Sequence, residues 1–249
     1  MTIGHNYAVC VPYYGGYDPA HYRGMKGLKE LGFPNLLELH GCPYIDVARS
    51  VLVEQALGIC GCDGVMFIDH DIVFQPRDVL EVIARAEETQ SLVGVPYSMR
   101  TPGKTIVGGF APGIKDVVFF EGGGLYPSAY LGMGFTAIPR SAFDAVGRHL
   151  PELDAGGFMP GRTIKPYFAL DTSGGYYSGE DISFCRRATE ANVHQFLYTV
   201  PRIFHKGAYQ YGIEDAGISI PRFKSVNGDL SMSAKQLQEL RLNELEAVQ

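Results

Sequence analysis

Strand-like and helix-like patterns of apolar residues alternate along the first hundred residues of the chain. The predicted strands are 7–11, 36–40, 65–68 and 91–95, and the predicted helices are 45–57 and 77–88. The strands are short runs rich in β-branched and aromatic residues, whereas the helices repeat their apolar residues at helical spacing. Alternation of this kind is typical of a sheet with helices packed on its faces. The pattern therefore predicts an α/β fold with a mostly parallel central sheet flanked by helices.

The second half of the chain follows a less regular pattern. Glycines cluster between 99 and 134 around short β-like runs, and the segment 151–179 is rich in glycine and proline with little periodicity, which predicts a long functional loop. Further predicted elements are helices at 140–146, 180–191 and 233–248 and a strand at 195–200. Because no internal repeat or low-complexity linker divides the sequence, a single domain is expected over 1–249.

Composition narrows the class of protein. Of the 249 residues, 46% are hydrophobic and 19% are charged, which suits a globular domain with a sizeable core. The net charge is −6 and no Lys/Arg cluster occurs, so binding to nucleic acid through its phosphates is not expected. Five cysteines without zinc-type spacing predict buried thiols in a reducing compartment. Because the sequence has neither a basic-then-apolar leader nor a run of about 20 apolar residues, we expect a cytoplasmic protein without a transmembrane segment.

Two aspartates separated by one residue follow the strand predicted at 65–68. Asp69 and Asp71 fall at its carboxyl end, where open α/β sheets bind their ligands. Two carboxylates form a hard, oxygen-only site suited to Mg²⁺ or Mn²⁺, and such ions commonly bridge phosphate oxygens. The alternative is that the aspartates cap the next helix, but Pro76 predicts that this helix begins several residues later. The spacing therefore favours a metal site.

A second pair of carboxylates opens the helix predicted at 180–191. Glu180 and Asp181 follow Ser178, so they can simply complement the helix dipole behind an N-cap residue. The alternative is a catalytic role, in which a carboxylate near the metal site takes the proton of a hydroxyl. The preceding loop contains Tyr176 and Tyr177, whose rings suit stacking on sugar faces, and this favours the catalytic interpretation.

Three further sets of residues have both a structural and a functional interpretation. His205 follows a strand-like run and is either a structural residue or a third metal ligand beside the two aspartates. Arg49 lies one helical turn after Asp46, where it either forms a surface ion pair or meets a diphosphate. Tyr13 and Tyr14 either pack on a nucleotide base or line the loop after the first strand.

Taken in order, these motifs resemble those of GT-A-fold nucleotide-sugar glycosyltransferases. The chain is similar to family 2-type enzymes and to the mannan-polymerase-type mannosyltransferases, which carry a similar Asp-x-Ala-Arg helix before a DxD metal motif. The segments that carry the resemblance are Val9 to Tyr14, Asp46-Val-Ala-Arg49, Phe67-Ile-Asp69-His-Asp71, Gly132 to Gly147, Gly179 to Arg187, and Phe204-His205. They extend over most of the chain, from residue 7 to about 212.

The resemblance implies a role for each segment. It implies a nucleotide-binding half at about 1–100 and an acceptor-side half at about 101–212. The donor, a UDP- or GDP-linked sugar, is expected to contact Pro12, Tyr13, Tyr14, Asp46, Arg49, Asp69 and His70. A Mn²⁺ or Mg²⁺ ion is expected at Asp69, Asp71 and His205, and the acceptor, a glycan or another hydroxyl-bearing molecule, at Gly134, Tyr176 and Tyr177.

The implied reaction is the transfer of a sugar from a nucleoside diphosphate to an acceptor hydroxyl. If the enzyme inverts, Asp181 takes the proton of the hydroxyl and Glu180 orients the acceptor, although the two roles can be exchanged. If it retains configuration, no such base is required and Asp181 contacts the acceptor or the sugar. The Glu-Asp motif favours inversion.

Two other classes of function remain open for the same residues. A metal-dependent phosphodiesterase or nucleotidyltransferase would also use Asp69 and Asp71, although two-metal sites usually have further carboxylates or histidines. A non-catalytic glycan- or nucleotide-binding module is the third possibility.

Overall fold

An eight-stranded mixed sheet lies at the centre of the structure, a computed structural model that describes residues 6–16, 18–100, 106–172, 175 and 177–216. The described helices are α1 (Pro19–Glu30), α2 (Ile45–Val53), α3 (Pro76–Thr89), α4 (Arg140–Gly147) and α5 (Glu180–Glu190). The described strands are β1 (Tyr7–Tyr13), β2 (Asn35–His40), β3 (Gly64–Ile68), β4 (Ile72–Val73), β5 (Leu92–Gly94), β6 (Tyr97–Ser98), β7 (Ile106–Val107), β8 (Gly109–Phe110), β9 (Leu125–Tyr130), β10 (Phe135–Pro139), β11 (Leu153–Asp154), β12 (Thr163–Ile164), β13 (Gln195–Tyr198), β14 (Phe204–Lys206) and β15 (Gln210–Tyr211). The helix predicted at 233–248 lies outside the described residues.

The strands of the central sheet follow the order β2-β1-β3-β10-β5-β13-β9-β8. β1 pairs in parallel with β2 and β3, and β5 pairs in parallel with β13. β10 runs antiparallel between β3 and β5, and β9 runs antiparallel between β13 and β8. The predicted α/β class is confirmed, and the sheet is mixed because its glycine-rich middle segment enters it through reversed strands that need no helical crossover.

Two apolar layers cover the faces of this sheet. On one face α1 and α3 pack against Val9, Val11, Met66 and Ile68, and on the other face α2, α4 and α5 pack against the alternate residues of β1 and β3. Both strands are buried along their whole length, which explains why they read as continuous apolar runs in the sequence. Their carboxyl ends are thereby held in a fixed position at one edge of the core.

The helix α1 is an element that the sequence analysis missed. Asp18 caps it by accepting hydrogen bonds from the backbone of Ala20 and His21. Its interior contains Gly24 and Gly27, at which a Cβ would lie 2.8 Å from Phe74 and 2.5 Å from Pro76 respectively. The glycines that weaken the helical pattern therefore allow α1 to approach the start of α3 closely.

A small three-stranded sheet joins the chain after β3 to the last described strands. Its order is β15-β14-β4, and its register pairs His205 with Ile72. This pairing brings residues far apart in sequence to the carboxyl end of β3. The two halves of the chain meet there.

The part of the predicted loop from 151 to 172 contains regular structure and packed side chains. Its strands β11 and β12 form an antiparallel pair, and Ala155, Met159 and Ile164 pack on Val51 of α2. Further along, Phe168 is fully buried. No described helix combines the length and the apolar character needed to cross a bilayer.

We expect Phe168→Ala to lower the free energy of unfolding by about 3–5 kcal/mol, the usual cost of emptying a buried phenylalanine site. The ring stacks on Phe184 at 4.6 Å and meets Phe67 edge-on at 5.4 Å. Phe158→Ala is the matched control, because Phe158 lies in the same segment but is exposed. Chemical denaturation of both variants tests this, and equal midpoints would show that the segment is not anchored in the core.

Candidate active site

A cleft of about 280 Å³ lies at the carboxyl ends of β1 and β3. It is lined by Pro12, Tyr13, Tyr14, Cys42, Pro43, Ile45, Asp69, His70, Asp71 and Arg100. The end of β1, the start of α2 and the turn after β3 thus form one wall, as expected for ligand sites of open α/β sheets. Most of the predicted donor-contacting residues lie on this wall.

Arg49 connects the two carboxylate motifs beneath the cleft. Its side chain is only 2% exposed, its Nη2 donates a hydrogen bond to Oδ1 of Asp69 at 2.9 Å, and its Nε lies 3.6 Å from Oε1 of Glu180. Its guanidinium also covers the ring of Phe67 at 5.1 Å. Burial alone would lower the pKa of Arg49, but the two carboxylates raise that pKa above its usual value. The alternative of a surface ion pair with Asp46 is therefore wrong, and Arg49 lies below the cleft rather than on its wall.

Asp71 is held by cationic or polar partners from two other parts of the chain. The backbone N of Lys206 donates to the carbonyl of Asp71 at 2.7 Å, which places His205 beside the carboxylate. Nε2 of His205 lies 3.4 Å from Oδ2 of Asp71, and Nη1 of Arg100 lies 2.9 Å from the same oxygen. Burial alone would raise the pKa of Asp71, but His205 and Arg100 outweigh burial and lower it. Asp71 is therefore held in its ionised form.

Asp71 and His205 suit a divalent cation as a pair of ligands. Nδ1 of His205 lies 2.9 Å from the carbonyl of Ser98 and donates its proton to it, so Nε2 is the nitrogen left to bind a cation when the ring is neutral. Adjacent ligands of an octahedral ion, each at about 2.1 Å, are about 3.0 Å apart, close to the observed separation of 3.4 Å.

The predicted set of three metal ligands is not assembled. Within the described ranges, no three His, Cys, Asp or Glu side chains are grouped in a way that could hold a metal ion. The structure brings Asp71 and His205 together, whereas Oδ1 of Asp69 accepts the hydrogen bond from Arg49. The physical reason is that a buried guanidinium needs a charged partner, and Asp69 supplies it.

Tyr97 is a central residue that the sequence analysis missed. Its ring meets His205 edge-on at 5.2 Å, and its Oη accepts a hydrogen bond from the backbone N of Gly134 at 3.2 Å. A Cβ on Gly134 would lie 2.5 Å from this Oη and 3.1 Å from Oδ2 of Asp69. Burial, and then the charge of Asp69, raise the pKa of Tyr97 well above its usual value, so the phenol stays neutral. The position of Tyr97 just after β5 is the one sequence signal that points to it.

Gly134 therefore has a packing requirement of its own. Its backbone carbonyl accepts a hydrogen bond from the backbone N of Asp69 at 2.9 Å, which fixes the first aspartate against β10. A larger residue would displace either the phenol of Tyr97 or the carboxylate of Asp69. The acceptor contact expected at Gly134 stays a prediction.

Glu180 and Asp181 occupy the first turn of α5 but have different surroundings. Glu180 lies beside Arg49, whereas burial, followed by the charge of Glu180, raises the pKa of Asp181. A carboxylate with a raised pKa is a stronger base than an ordinary aspartate. The N-cap role predicted for Ser178 is wrong, because Gly179 is the N-cap and its neighbour Ser178 is buried.

An aromatic group lies at the β1 end of the cleft wall. The ring of Tyr13 stacks on His40 at 4.7 Å and lies 5.8 Å from the ring of His70. Oε2 of Glu38 lies 3.2 Å from Nε2 of His40, so the end of β2 also contributes polar groups. Tyr13 is buried and Tyr14 is exposed, and the sequence analysis had assigned no role to the end of β2.

The remaining predicted site residues lie farther from these contacts or beyond the described chain. Asp46 is in the first turn of α2, and Tyr177 is an exposed side chain just before α5. A bridge between Asp171 and Ser178 closes the base of the loop that carries Tyr177. Tyr176 lies outside the described residues. The donor contact of Asp46 and the acceptor contacts of both tyrosines stay predictions.

A larger depression of about 490 Å³ lies at the opposite ends of β1 and β3. Its lining residues are Tyr7, Asp63, Glu87, Gln90, Pro139, Arg140, Ser141 and Asp144. Pro139, Arg140, Ser141 and Asp144 belong to the segment Gly132 to Gly147, but none of the lining residues was predicted to bind the donor, the acceptor or a metal. Size alone therefore does not identify the candidate site, whereas the converging charged groups do.

Comparison with known proteins gives a fold likeness at low identity. No model of a protein family and no curated protein matches the sequence. Among solved structures, A197 from STIV is similar, with 14% identity, a TM-score of 0.54, and coverage of 89% of this chain and 100% of that chain. A likeness at this identity shows a shared fold alone.

Two glycosyltransferases are also structural neighbours. A glycosyltransferase involved in the glycosylation of the major capsid of PBCV-1 has 11% identity, a TM-score of 0.35, and coverage of 55% of this chain and 62% of its own. GalNAc-T7, solved with UDP, GalNAc and Mn²⁺, has 12% identity, a TM-score of 0.45, and coverage of 87% of this chain and 46% of its own. The chain thus spans less than two thirds of each of them, and TM-scores below 0.5 are too low to assign a function. The family 2 and mannan-polymerase resemblances stay predictions.

We expect Arg49→Met to lower the free energy of unfolding by about 3 kcal/mol, the low end for breaking a buried ion pair, because Asp69 and Glu180 are partly solvated. The two carboxylates would lose the cation between them while remaining partly buried. Arg77→Met is the control, since Arg77 is 81% exposed and lies 3.8 Å from its partner Asp78. Denaturant titration of both variants measures the difference, and a loss no larger than that of the control would show that Arg49 does not hold the motifs together.

Proposed function

We propose that the protein is a glycosyltransferase that moves a sugar from a nucleoside diphosphate sugar to an acceptor hydroxyl. The observation that supports this most directly is that the buried guanidinium of Arg49 contacts both Asp69 and Glu180, so the two carboxylate motifs belong to one site. Transfer of a sugar requires charge stabilisation at the leaving diphosphate and deprotonation of the acceptor. The motif with Asp69 and Asp71 can serve the first requirement, and the motif with Glu180 and Asp181 can serve the second.

In this proposal the nucleotide of the donor binds in the cleft at the ends of β1 and β3. Tyr14 and His70 offer aromatic surfaces there, and the buried ring of Tyr13, stacked on His40, lies behind His70. Stacking of a nucleobase on aromatic rings is favourable for any base, so either a uridine or a guanosine donor is compatible with these groups. The second oxygen of Asp69, Oδ2, can accept a hydrogen bond from a sugar hydroxyl of the donor.

Asp71 and His205 would hold the Mn²⁺ or Mg²⁺ ion of the proposed reaction. Such ions commonly take one or two protein carboxylates and complete their shell with substrate phosphates and water, so a third protein ligand is not required. When bound, the ion supplies Lewis-acid stabilisation of the charge that develops on the leaving diphosphate. The chain's own part is to hold Asp71 ionised and to fix the His205 ring through Ser98.

Asp181 is the proposed base of an inverting transfer. Its raised pKa suits proton abstraction, and it directly follows Glu180, which lies beside Arg49, the partner of Asp69. Glu180 is held by Arg49, so its proposed role is to orient the acceptor hydroxyl. A base on the acceptor side allows attack from the face opposite the leaving diphosphate, which inverts the sugar carbon.

Metal-dependent phosphodiester cleavage and nucleotidyl transfer are the rival activities. An assay with sugar nucleotides, Mn²⁺ and a panel of glycan acceptors separates them, because sugar transfer releases free UDP or GDP. Cleavage of a phosphodiester that contains no sugar nucleotide would instead support the rival. If the chain binds glycans or nucleotides and turns over none of these substrates, it is a binding module.

We expect Asp181→Asn to lower transfer by at least ~100-fold, the low end of acid–base contributions, while donor affinity stays unchanged. Glu190→Gln, at the exposed end of the same helix, is the control for loss of one carboxylate. Since the pKa of Asp181 is raised, wild-type transfer should fall as the pH drops through that raised pKa. Wild-type turnover by the Asn variant would exclude Asp181 as the base.

The same variant should change stability in a defined direction. Because the folded-state pKa of Asp181 is raised, its ionised form is disfavoured by folding. Asp181→Asn should therefore be more stable than the wild type at pH 7, and this gain should disappear below about pH 4, where the carboxyl is neutral in both states.

We expect Asp71→Asn and His205→Gln each to weaken Mn²⁺ binding by about tenfold or more, as loss of a ligand removes a direct metal contact. His194→Gln is the control, since His194 is exposed and lies outside the cleft. Titration calorimetry with Mn²⁺ at neutral pH measures the affinities. Equal affinities in all three variants would contradict the proposed cation site and leave the proposed sugar transfer without a metal.

A further inference from the structure

One oxygen of Asp71 faces two different groups. Oδ2 of Asp71 lies 2.9 Å from Nη1 of Arg100 and 3.4 Å from Nε2 of His205. The first contact is a charge-assisted hydrogen bond, and the second is the pair that suits a divalent cation. The same carboxylate oxygen therefore accepts the hydrogen bond of the guanidinium and belongs to the proposed metal site.

Arg100 lines the cleft, and the stem of its side chain packs against a neighbouring residue. It follows β6, whose Ser98 accepts the hydrogen bond of His205, and it is one of the residues that line the cleft. A Cβ on Gly207 would lie 3.3 Å from both Cβ and Cδ of Arg100, so the stem of the arginine lies against this glycine. The side chain is nevertheless 57% exposed, so its guanidinium has room to move.

A guanidinium and a divalent cation at the same carboxylate oxygen repel each other through their like charges, so each weakens the binding of the other. We propose that Arg100 competes with the divalent cation for Oδ2 of Asp71, and that the displaced guanidinium binds the diphosphate of the donor. This inference rests on the proposed function for its cation and its diphosphate. It adds a donor-binding residue that no sequence motif indicated.

The stem of Arg100 limits where its guanidinium can go after displacement. The stem lies on Gly207, and Arg100 lines the cleft together with Asp71, His70 and Tyr13, so the proposed diphosphate site is within the same cleft. A planar guanidinium offers two parallel donors to a phosphate, which a lysine does not. Cation entry and diphosphate binding are thereby coupled through one side chain.

The coupling has two opposite consequences for Arg100→Gln. Without the competing guanidinium, Mn²⁺ alone should bind about 3- to 5-fold more tightly, the range of a partly exposed ion pair. In saturating Mn²⁺, methylenediphosphonate, a base-free diphosphate, should bind about tenfold more weakly, because a charge-assisted contact is lost. The first affinity is read from the electron paramagnetic resonance signal of free Mn²⁺, and the second from calorimetry, both with the full chain.

Two controls separate this exchange from a simple loss of charge. Arg77→Gln removes an exposed arginine outside the cleft and should change neither affinity. Arg100→Lys keeps the charge, so Mn²⁺ affinity should stay near the wild-type value while diphosphonate binding weakens. A wild-type chain that binds no Mn²⁺, an Arg100→Gln variant with unchanged Mn²⁺ affinity, or one with unchanged diphosphonate affinity would overturn the inference.

The outcome is independent of sugar transfer. If both affinities shift as expected but no sugar nucleotide is turned over, the exchange at Asp71 stands and the proposed transfer falls. If sugar is transferred but Arg100→Gln behaves as the wild type, the proposed transfer stands and the exchange falls.

Discussion

The arrangement of the site depends on the buried charge of Arg49. A guanidinium that is 2% exposed requires charged partners, and the chain supplies them from two separate elements, Asp69 after β3 and Glu180 at the start of α5. A buried ion pair contributes little to stability relative to an apolar core, but its partners must keep their positions, because an unpaired buried charge is costly. The pair therefore fixes the separation between the two motifs more than it stabilises the fold.

Close packing then determines which residues surround this pair. The phenol of Tyr97 fills the space between Gly134 and His205, and the backbone of Gly134 in turn holds Asp69. A glycine that resembles an acceptor-side motif in the sequence thus has a second explanation in the approach of a tyrosine. The two explanations are compatible, because a side chain at this position would crowd Oδ2 of Asp69 as well as the phenol of Tyr97.

The sequence predicted the elements with strong periodicity and the positions where strands end. The strands at β1 and β3, the helices α3 and α5, and the cleft position of Asp69 and Asp71 follow from such local patterns. It could not predict α1, whose glycines are required by contacts with Phe74 and Pro76, nor Tyr97 and Arg100, which carry no motif. The burial of Arg49 also escaped it, because an i, i+3 spacing with Asp46 describes only the helix itself and not the strand beneath. Each of these features depends on contacts between residues that are far apart in the sequence.

The two aspartates proposed for opposite tasks have opposite electrostatic surroundings. Contacts with His205 and Arg100 lower the pKa of Asp71, which keeps it ionised as a ligand for a cation. Burial and the charge of Glu180 raise the pKa of Asp181, which strengthens it as a base. Carboxylates whose pKa values are displaced in opposite directions within one site are characteristic of enzymes that need a fixed charge and a proton acceptor at the same pH. This asymmetry supports the catalytic proposal, because a cation ligand and a proton acceptor need pKa values shifted in these two directions.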